Sequence, residues 1–575
     1  MYASTLQTDK RIHVVDVRCG FGKGIAQQTF LNHITDNEFA FTKDEWGMLK
    51  QAGAIYVTDR KDRLERIFEY GGIAKHCYWL QTEADCQIPL EEQIVEQQEY
   101  PILIMTTQRY FQMAPSGLRG LKKWRNQDSE QERKLVIFDE KPQFIDIYTL
   151  SIKHLHSVGE ALMNVLEYEG KGRLLESFEA VEREIFQEWD ELSFYISEQQ
   201  LKSHYTWVPA DTESASETEF YTLVKDVKLP DHISQTIRAI RYRKSNGCFY
   251  VNVPTSKTQN RYYEIPMNNL DKFLLEDYSY WVFDATAGID IEYIRLVDRL
   301  PFEYFFADDM RDENCQVVLT DLNTSKNKMD EEKYEMLLDY IAVLPKDTVI
   351  ITYQEFEKKI KTEFPQYLTL HLGNTRGNNS LKDATRLLQI GLTRPRERYF
   401  LGMFLELYPE ERHMLNAMEQ NDIDEYIKNV THLSSVMFSD ERMNEILISM
   451  MAVDLEQNVF RSKLRQFGSN EFVRIEIICS AKYAPVLDKV FNKWGLKYEI
   501  NTDSFKKLDN VRSDSHAKQV LDALEEMPFY KPFKTKDLYK AAGLTAKQFD
   551  KVRTTHGINE LLLSYKIGHG LYMKM

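Results

Sequence analysis

Over the first 150 residues, short β-branched runs (Ile12 to Val17, Ala54 to Thr58, Ile102 to Thr106, Leu135 to Phe138) alternate with longer stretches of helical periodicity. That alternation predicts a parallel sheet covered by helices. From Leu150 to Tyr205 the apolar positions recur at helical spacing with no strand-like run, which predicts an all-helical insertion. Asp211 to Glu219, DTESASETE, is polar and acidic and predicts an exposed loop. Between Arg238 and Pro266 two aromatic, β-branched runs flank Ser245-Asn246-Gly247, the pattern of a hairpin turning at those three residues. A strand at Trp281 to Phe283 then leads into Asp284. From Cys315 to Met403 the runs CQVVLT, DTVIITY, YLTLHL and RYFLGMF predict the strands of a second α/β unit, and Pro409 to Met451 reads as helical. The last residues read as three helices (Asp514 to Glu526, Lys534 to Ala542, Thr545 to Thr554) and two short strands around Gly568-His569-Gly570, a winged-helix pattern.

Composition narrows the class. A chain of 575 residues is expected to form several compact units, and 43% hydrophobic with 28% charged residues is the balance of a folded protein. The formal charge of -16 excludes an overall basic coat for wrapping nucleic acid. Residues 510 to 575 carry 11 Lys or Arg against 7 Asp or Glu, which sets them apart as a C-terminal module. The six cysteines form no CxxC pair and read as reduced thiols; with no signal-peptide pattern and no long apolar run, a cytoplasmic protein without a membrane span is expected.

Candidate chemistry begins after the first strand, where Cys19-Gly20-Phe21-Gly22-Lys23-Gly24 precedes the helical pattern IAQQTFLNHI. Glycines let backbone N–H groups turn inward, the helix N-terminus adds partial positive charge, and Lys23 supplies a cation, so these are the parts of a phosphate cradle. A second motif is Leu135-Val136-Ile137-Phe138-Asp139-Glu140-Lys141-Pro142, an apolar strand ending in two carboxylates. Phosphoryl transfer to water uses one carboxylate for Mg2+ and a neighbour to orient or deprotonate the water, roles that fit Asp139 and Glu140 in that order.

With these two motifs in place, the chain resembles the superfamily 2 helicases, the DEAD/DEAH-box-like branch of P-loop NTPases, in a bacterial or phage type with a DExP-like second motif. GFGKG stands at motif I, YVTDRKDRL (Tyr56 to Leu64) at Ia, IMTTQRY (Ile104 to Tyr110) at Ib and VIFDEKP at II. VFDATAG (Val282 to Gly288) resembles motif III, VIITYQEF (Val349 to Phe356) IV, HLGNTRGNNSLKDATRLLQIG (His371 to Gly391) V and DLEQNVFRSKLRQ (Asp454 to Gln466) VI. The resemblance implies an α/β fold with two RecA-like parallel-sheet domains, a helical insertion and a C-terminal winged-helix-like module. The implied division is 1–148 for the first RecA-like domain, 149–235 for the insertion, 236–300 for a hairpin and return to the first domain, 301–485 for the second, and 486–575 for the module. It implies ATP with Mg2+ as cofactors, with ATP held by Gly20, Phe21, Gly22, Lys23, Gly24, Ile25 and Gln457. Catalysis falls to Lys23, Asp139, Glu140, Arg461 and Arg465, Mg2+ to Asp139, and coupling to Asp284 and Thr286.

Two departures stand out. The family carries Ser or Thr after the P-loop lysine as a metal ligand, whereas this chain has Gly24. Arg461 and Arg465 succeed Gln457 at i+4 and i+8, which on one helix would share a face. The resemblance places Thr58, Arg60, Thr106, Thr107, Asn374, Arg376 and Asn378 on the nucleic-acid strand, and the C-terminal module offers Lys547, Lys551 and Arg553 to a duplex. A helicase or translocase acting on single-stranded or partly duplex nucleic acid, DNA favoured, is the leading expectation, with a protein partner for the insertion or the C-terminal module. A nucleotide switch with weak turnover is the alternative suggested by Gly24, and a nucleotide or polynucleotide kinase the third.

Overall fold

The structure, a computed structural model, describes all residues except 2–9, 19, 21, 36–40, 44–48, 52, 70–72, 83–85, 87, 127–128, 166–169, 199–203, 255–258, 307–313, 326–328, 374–379, 467–468, 503–518, 521–522, 525–526, 528–530, 556–561, 563–564, 569–570 and 574–575. The chain divides into two compact units: 1–311 with 394–469 and 485–495, and 312–393 with 470–484 and 496–575. Residues 394–469, which the resemblance places in the second α/β domain, therefore pack within the first unit.

The first unit is built on seven parallel strands: β1 (Ile12–Asp16), β2 (Ala54–Thr58), β3 (Cys77–Leu80), β4 (Ile102–Thr106), β5 (Leu135–Phe138), and, after an insertion, two more. The insertion supplies β6 (Ile145–Ser151), β7 (Tyr205–Val208), β8 (Cys248–Pro254) and β9 (Gln259–Asn268), and the large sheet resumes with β10 (Ser279–Val282) and β11 (Phe302–Phe306). Its order is β11-β1-β10-β5-β2-β4-β3, every neighbour parallel. Every residue of β2 and β5 is buried, as in strands covered on both faces, which explains their unbroken apolar runs. Helices α1 (Lys23–Thr35) and α2 (Lys61–Glu69) cover the sheet, with Leu31 and Ile34 of the former and Leu64 and Ile67 of the latter in one core with Tyr56, Ile104 and Ile137.

The described residues between Leu150 and Tyr205 are helical as expected apart from their strand ends, but they belong to a larger insertion that also holds strands. Its strands form an antiparallel sheet, order β6-β9-β8-β7, under helices α3 (Ile152–Met163), α4 (Lys171–Glu198), α5 (Ala215–Val224) and α6 (Asp231–Asn246). The polar stretch expected as a loop opens α5 instead: Ser214 Oγ accepts from the Glu217 N–H at 3.1 Å and the Glu217 carboxylate accepts from the Ser214 N–H at 2.9 Å. The hairpin is also displaced. Residues 238–246 are helix, and Gly247, at φ 83°, caps α6 with its N–H donating to the Arg243 carbonyl at 2.8 Å, so the signal at 245–247 is a helix C-cap; the antiparallel pair is β8 with β9, Phe249 opposite Glu264.

Residues 394–469 add α7 (Glu397–Leu407) and α8 (Glu441–Val459), among others, to this unit. RYFLGMF, whose apolar run predicts a strand, lies within α7, where Phe400 to Leu407 are all buried; a helix buried all round shows the same continuous apolar run as a buried strand.

The second unit holds six parallel strands: β12 (Cys315–Asp321), β13 (Thr348–Thr352), β14 (Thr369–His371), β15 (Arg386–Ile390), β16 (Val473–Cys479) and β17 (Tyr498–Asn501), in the order β14-β13-β15-β16-β12-β17. The expectation of two parallel α/β sheets is met. Residues 533–572 of the same unit give two helices, Thr535–Ala541 and Ala546–Thr555, and a three-stranded antiparallel sheet around their own apolar core; Asp514, the start of the first helix expected there, lies outside the described residues. Among the described residues no helix is long and apolar enough to cross a membrane.

Candidate nucleotide site

In a parallel sheet all strands end on one edge, and here β1, β10 and β5 are consecutive, so the segments leaving their C-terminal ends converge. After β1 come Gly20 (φ 91°) and Gly22 (φ 85°), then α1 opens at Lys23. A Cβ on Gly20 would run into the backbone of Arg465, so two needs for glycine, conformation and space, coincide. Lys23 Nζ donates to the Val17 carbonyl at 2.7 Å, folded back across the glycine loop. Gly24 is the second residue of α1, and Ile25 is 73% exposed, an apolar side chain presented at the helix start. Phe21, expected to contact ATP, lies outside the described residues.

After β5, the Asp139 N–H donates to the Val57 carbonyl at 3.0 Å and the Phe283 N–H to the Phe138 carbonyl at 2.9 Å, so the ladder carries Asp139 between the ends of β2 and β10. Asp139 is buried. Its Oδ2 accepts from Thr58 Oγ1 at 3.4 Å and is ion-paired with Arg63 Nη1. Arg63 comes from the first turn of α2, and its Nη2 donates to Gln27 Oε1 of α1 at 3.0 Å. Burial raises the Asp139 pKa, opposed by the charges of Arg63 and Lys23. Glu140 is half-buried and faces Arg461 Nη2 at 3.9 Å. Burial pushes its pKa up to about 7, the carboxylates of Asp59 and Asp139 adding to the effect and Arg461 opposing it. A carboxylate near neutrality is matched to taking a proton from water at physiological pH.

Asp284, just past β10, holds its own loop: its Oδ1 accepts from the Thr286 N–H at 2.9 Å and from Thr286 Oγ1 at 2.8 Å, and both residues are buried. Behind them lies a cluster that the sequence did not announce. Lys493 pairs with Asp16 at 2.8 Å and with Glu456 of α8 at 3.6 Å, and Asp16 Oδ2 accepts from the Gly288 N–H at 2.9 Å. Burial raises the Asp16 pKa and pushes that of Glu456 to about 7, in each case against Lys493.

The arginines of the DLEQNVFRSKLRQ segment do not share a helix face. α8 ends at Val459; Arg461 lies past its cap, buried, and Arg465 sits on a 3-10 turn. Gln457 remains on the helix, with its Oε1 buried and without a hydrogen-bond partner among the described residues. Arg461 still reaches the site, through Glu140, and Arg465 meets the glycine loop by its backbone.

The expected nucleic-acid contacts divide. Thr58 is buried on Asp139, which takes its hydroxyl, whereas Thr106 is half-buried and caps the Thr107–Gln112 helix, its Oγ1 accepting from the Arg109 N–H at 3.1 Å. Arg60 is held by Asp62 at 2.5 Å and Thr107 is half-buried. Asn374, Arg376 and Asn378 lie outside the described residues, as does the side chain of Lys551. Lys547 is exposed, and Arg553 pairs with Asp550 at 4.0 Å.

The residues present do not fit Mg2+. Gly24 supplies no hydroxyl, and the buried Asp139 carboxylate is taken by Arg63.

Neither a family model nor a curated protein matches the chain. Among solved structures it is similar to S. tokodaii Xpd4, at 10% identity over 86% of this chain and 96% of that one with a TM-score of 0.46. It is also similar to Mss116p bound to ssRNA and AMP-PNP (10%, 96% and 83%, TM-score 0.30) and to the Mycobacterium smegmatis helicase Lhr bound to ssDNA and AMP-PNP (9%, 94% and 53%, TM-score 0.28).

Proposed function

We propose that the first sheet binds a nucleoside triphosphate at its glycine loop and hydrolyses it, as a nucleic-acid-dependent ATPase of the helicase or translocase kind. The observation that carries this reading is the convergence, on three neighbouring parallel strands, of the Gly20–Lys23 loop, Asp284 and the Asp139–Glu140 pair, with Arg461 at 3.9 Å from Glu140. Loop amides and the α1 N-terminus receive phosphate, Lys23 leaves the Val17 carbonyl for a phosphate oxygen, Glu140 takes the proton of the attacking water, and Arg461 offsets charge that develops there. The nucleic-acid part of the reading rests on the series of motif resemblances alone. A second reading, a nucleotide switch with little turnover, is favoured by one observation: Arg63 occupies the Asp139 carboxylate and the space beside Gly24. ATP hydrolysis measured with and without single-stranded DNA or RNA tests both. Stimulation by either strand supports the first reading, ATP binding without turnover supports the second, and no ATP binding refutes both.

A further inference from the structure

Two oddities of the site fit together. A side chain at position 24 would collide with Arg63 Nη2, and the same guanidinium is ion-paired with Asp139. The missing hydroxyl and the extra cation are therefore one arrangement: glycine opens the space that the arginine fills. Arg63 is not a loose surface charge. Its Cα belongs to the first turn of α2, its Nη1 reaches Asp139 at the end of β5 and its Nη2 reaches Gln27 of α1, so three elements fix it, while its side chain stays 25% exposed and close to Gly24.

A guanidinium is always charged and has five N–H donors in a planar fork suited to phosphate oxygens. Asp139 and Gln27 engage two of its nitrogens from behind. Mg2+ arriving with ATP takes most of its oxygens from phosphates and water and needs a protein carboxylate or hydroxyl as anchor; here it would have to expel the guanidinium from Asp139 and would find no hydroxyl at position 24.

We propose that Arg63 is the resident cation of this site, and that the chain binds the metal-free polyphosphate of a nucleoside triphosphate through Lys23 and Arg63. The inference rests on the nucleotide-site reading and adds to it the chemical form of the ligand. Arg63 keeps its pair with Asp139 and turns its remaining donors to the phosphate, while Lys23 approaches from the glycine loop.

The test is equilibrium binding of ATP to the full chain, by competition against a fluorescent ATP analogue, in excess EDTA and in excess Mg2+. For the wild type the two affinities agree within about threefold. Arg63→Ala weakens binding in EDTA by about tenfold or more, and Mg2+ restores part of that loss because Asp139 is freed to hold it. Arg63→Gln, which keeps a donor for Asp139 but no charge, replaces the alanine variant if that fails to fold. Wild-type binding that is lost in EDTA and regained in Mg2+ overturns this inference while leaving the nucleotide site in place. ATP binding absent under both conditions overturns the site and the inference together. The wild-type titrations decide regardless of how the variants fold.

Discussion

The two parallel sheets are built alike, yet their strand ends do different work. On the first sheet the ends hold Asp16, Asp139, Glu140 and Asp284, close to Lys23, Arg63, Arg461 and Lys493. On the second, the described residues hold mostly local contacts: Asp321, ending β12, accepts from the Ala481 N–H at 2.6 Å, His371, ending β14, meets Glu357 at 3.0 Å, and Tyr353, just past β13, lies where a Cβ on Gly391 would be. Among the described residues, the same architecture thus gathers several ion pairs at one edge and mostly hydrogen-bonded contacts at the other. Strand order makes the site possible, but the residues just beyond each strand decide whether one exists.

This contrast can be broken most directly at Glu140. Glu140→Gln should lower ATP turnover by about 10² to 10⁴-fold and leave ATP affinity within about threefold, because the amide can hold water but cannot take its proton. The carboxylate must be ionised to act, so wild-type turnover should rise as pH increases through about 7 and level off above it. A pH-independent rate in the wild type would remove Glu140 from the reaction.

Lys23→Ala should weaken ATP binding by about 10²-fold, measured by the same competition assay, since it removes a cation from the loop. The matching change on the second sheet, Asp321→Ala, should not touch ATP binding and should cost about 1 kcal/mol in denaturant unfolding, the loss of one capping contact. Equal effects on ATP binding from the two variants would erase the distinction between the sheets.

A pH-dependent stability separates the first unit further. Lys272 is fully buried, with its Nζ on the Phe111 carbonyl, and burial pulls its pKa down to about 7, the neighbouring Arg238 adding to the shift. A lysine whose folded pKa lies below its unfolded one binds fewer protons when folded, so this group penalises folding below about pH 7 and the penalty fades as pH rises toward the ordinary lysine value of about 10.4. Thermal unfolding measured across that range should show Lys272→Met gaining over wild type at neutral pH and the gain shrinking at pH 10. A constant difference would mean that Lys272 is folded in its charged form.

Much of the first sheet was legible. β2, β4 and β5 start and stop where their β-branched runs do, because a doubly covered strand has no polar face to blur its ends. The errors have physical causes. α7 reads as a strand because it is buried on every side, residues 238–246 read as strand because the Ser-Asn-Gly that caps a helix also turns a hairpin, and the Ser214-x-x-Glu217 capping box was present but hidden in a polar stretch. Strand β16 escaped notice although RIEIIC alternates. Within the candidate site, Lys23 and the Asp139–Glu140 pair stand out in the sequence by local pattern. Arg63 does not, since nothing in DRKDRLERI tells which of three arginines turns toward a carboxylate 76 positions away. Lys493 meets Asp16 across 477 positions, a pairing that only the folded chain defines.

The sheet order has a consequence for synthesis. β1, which carries the glycine loop, is hydrogen-bonded only to β10 and β11, and β10 fills the slot between β1 and β5. While residues 139 to 278 emerge from the ribosome, β1, which leads into the glycine loop, has no strand partner, and the insertion with its own core lies between it and the strands that close the gap. The pairing that places the Gly20–Gly22 loop beside Asp139 and Asp284 therefore forms late, with the strand ending at Phe306. A nascent chain stopped short of Ser279 holds every residue of the glycine loop and both carboxylates, yet has no edge on which to bring them together.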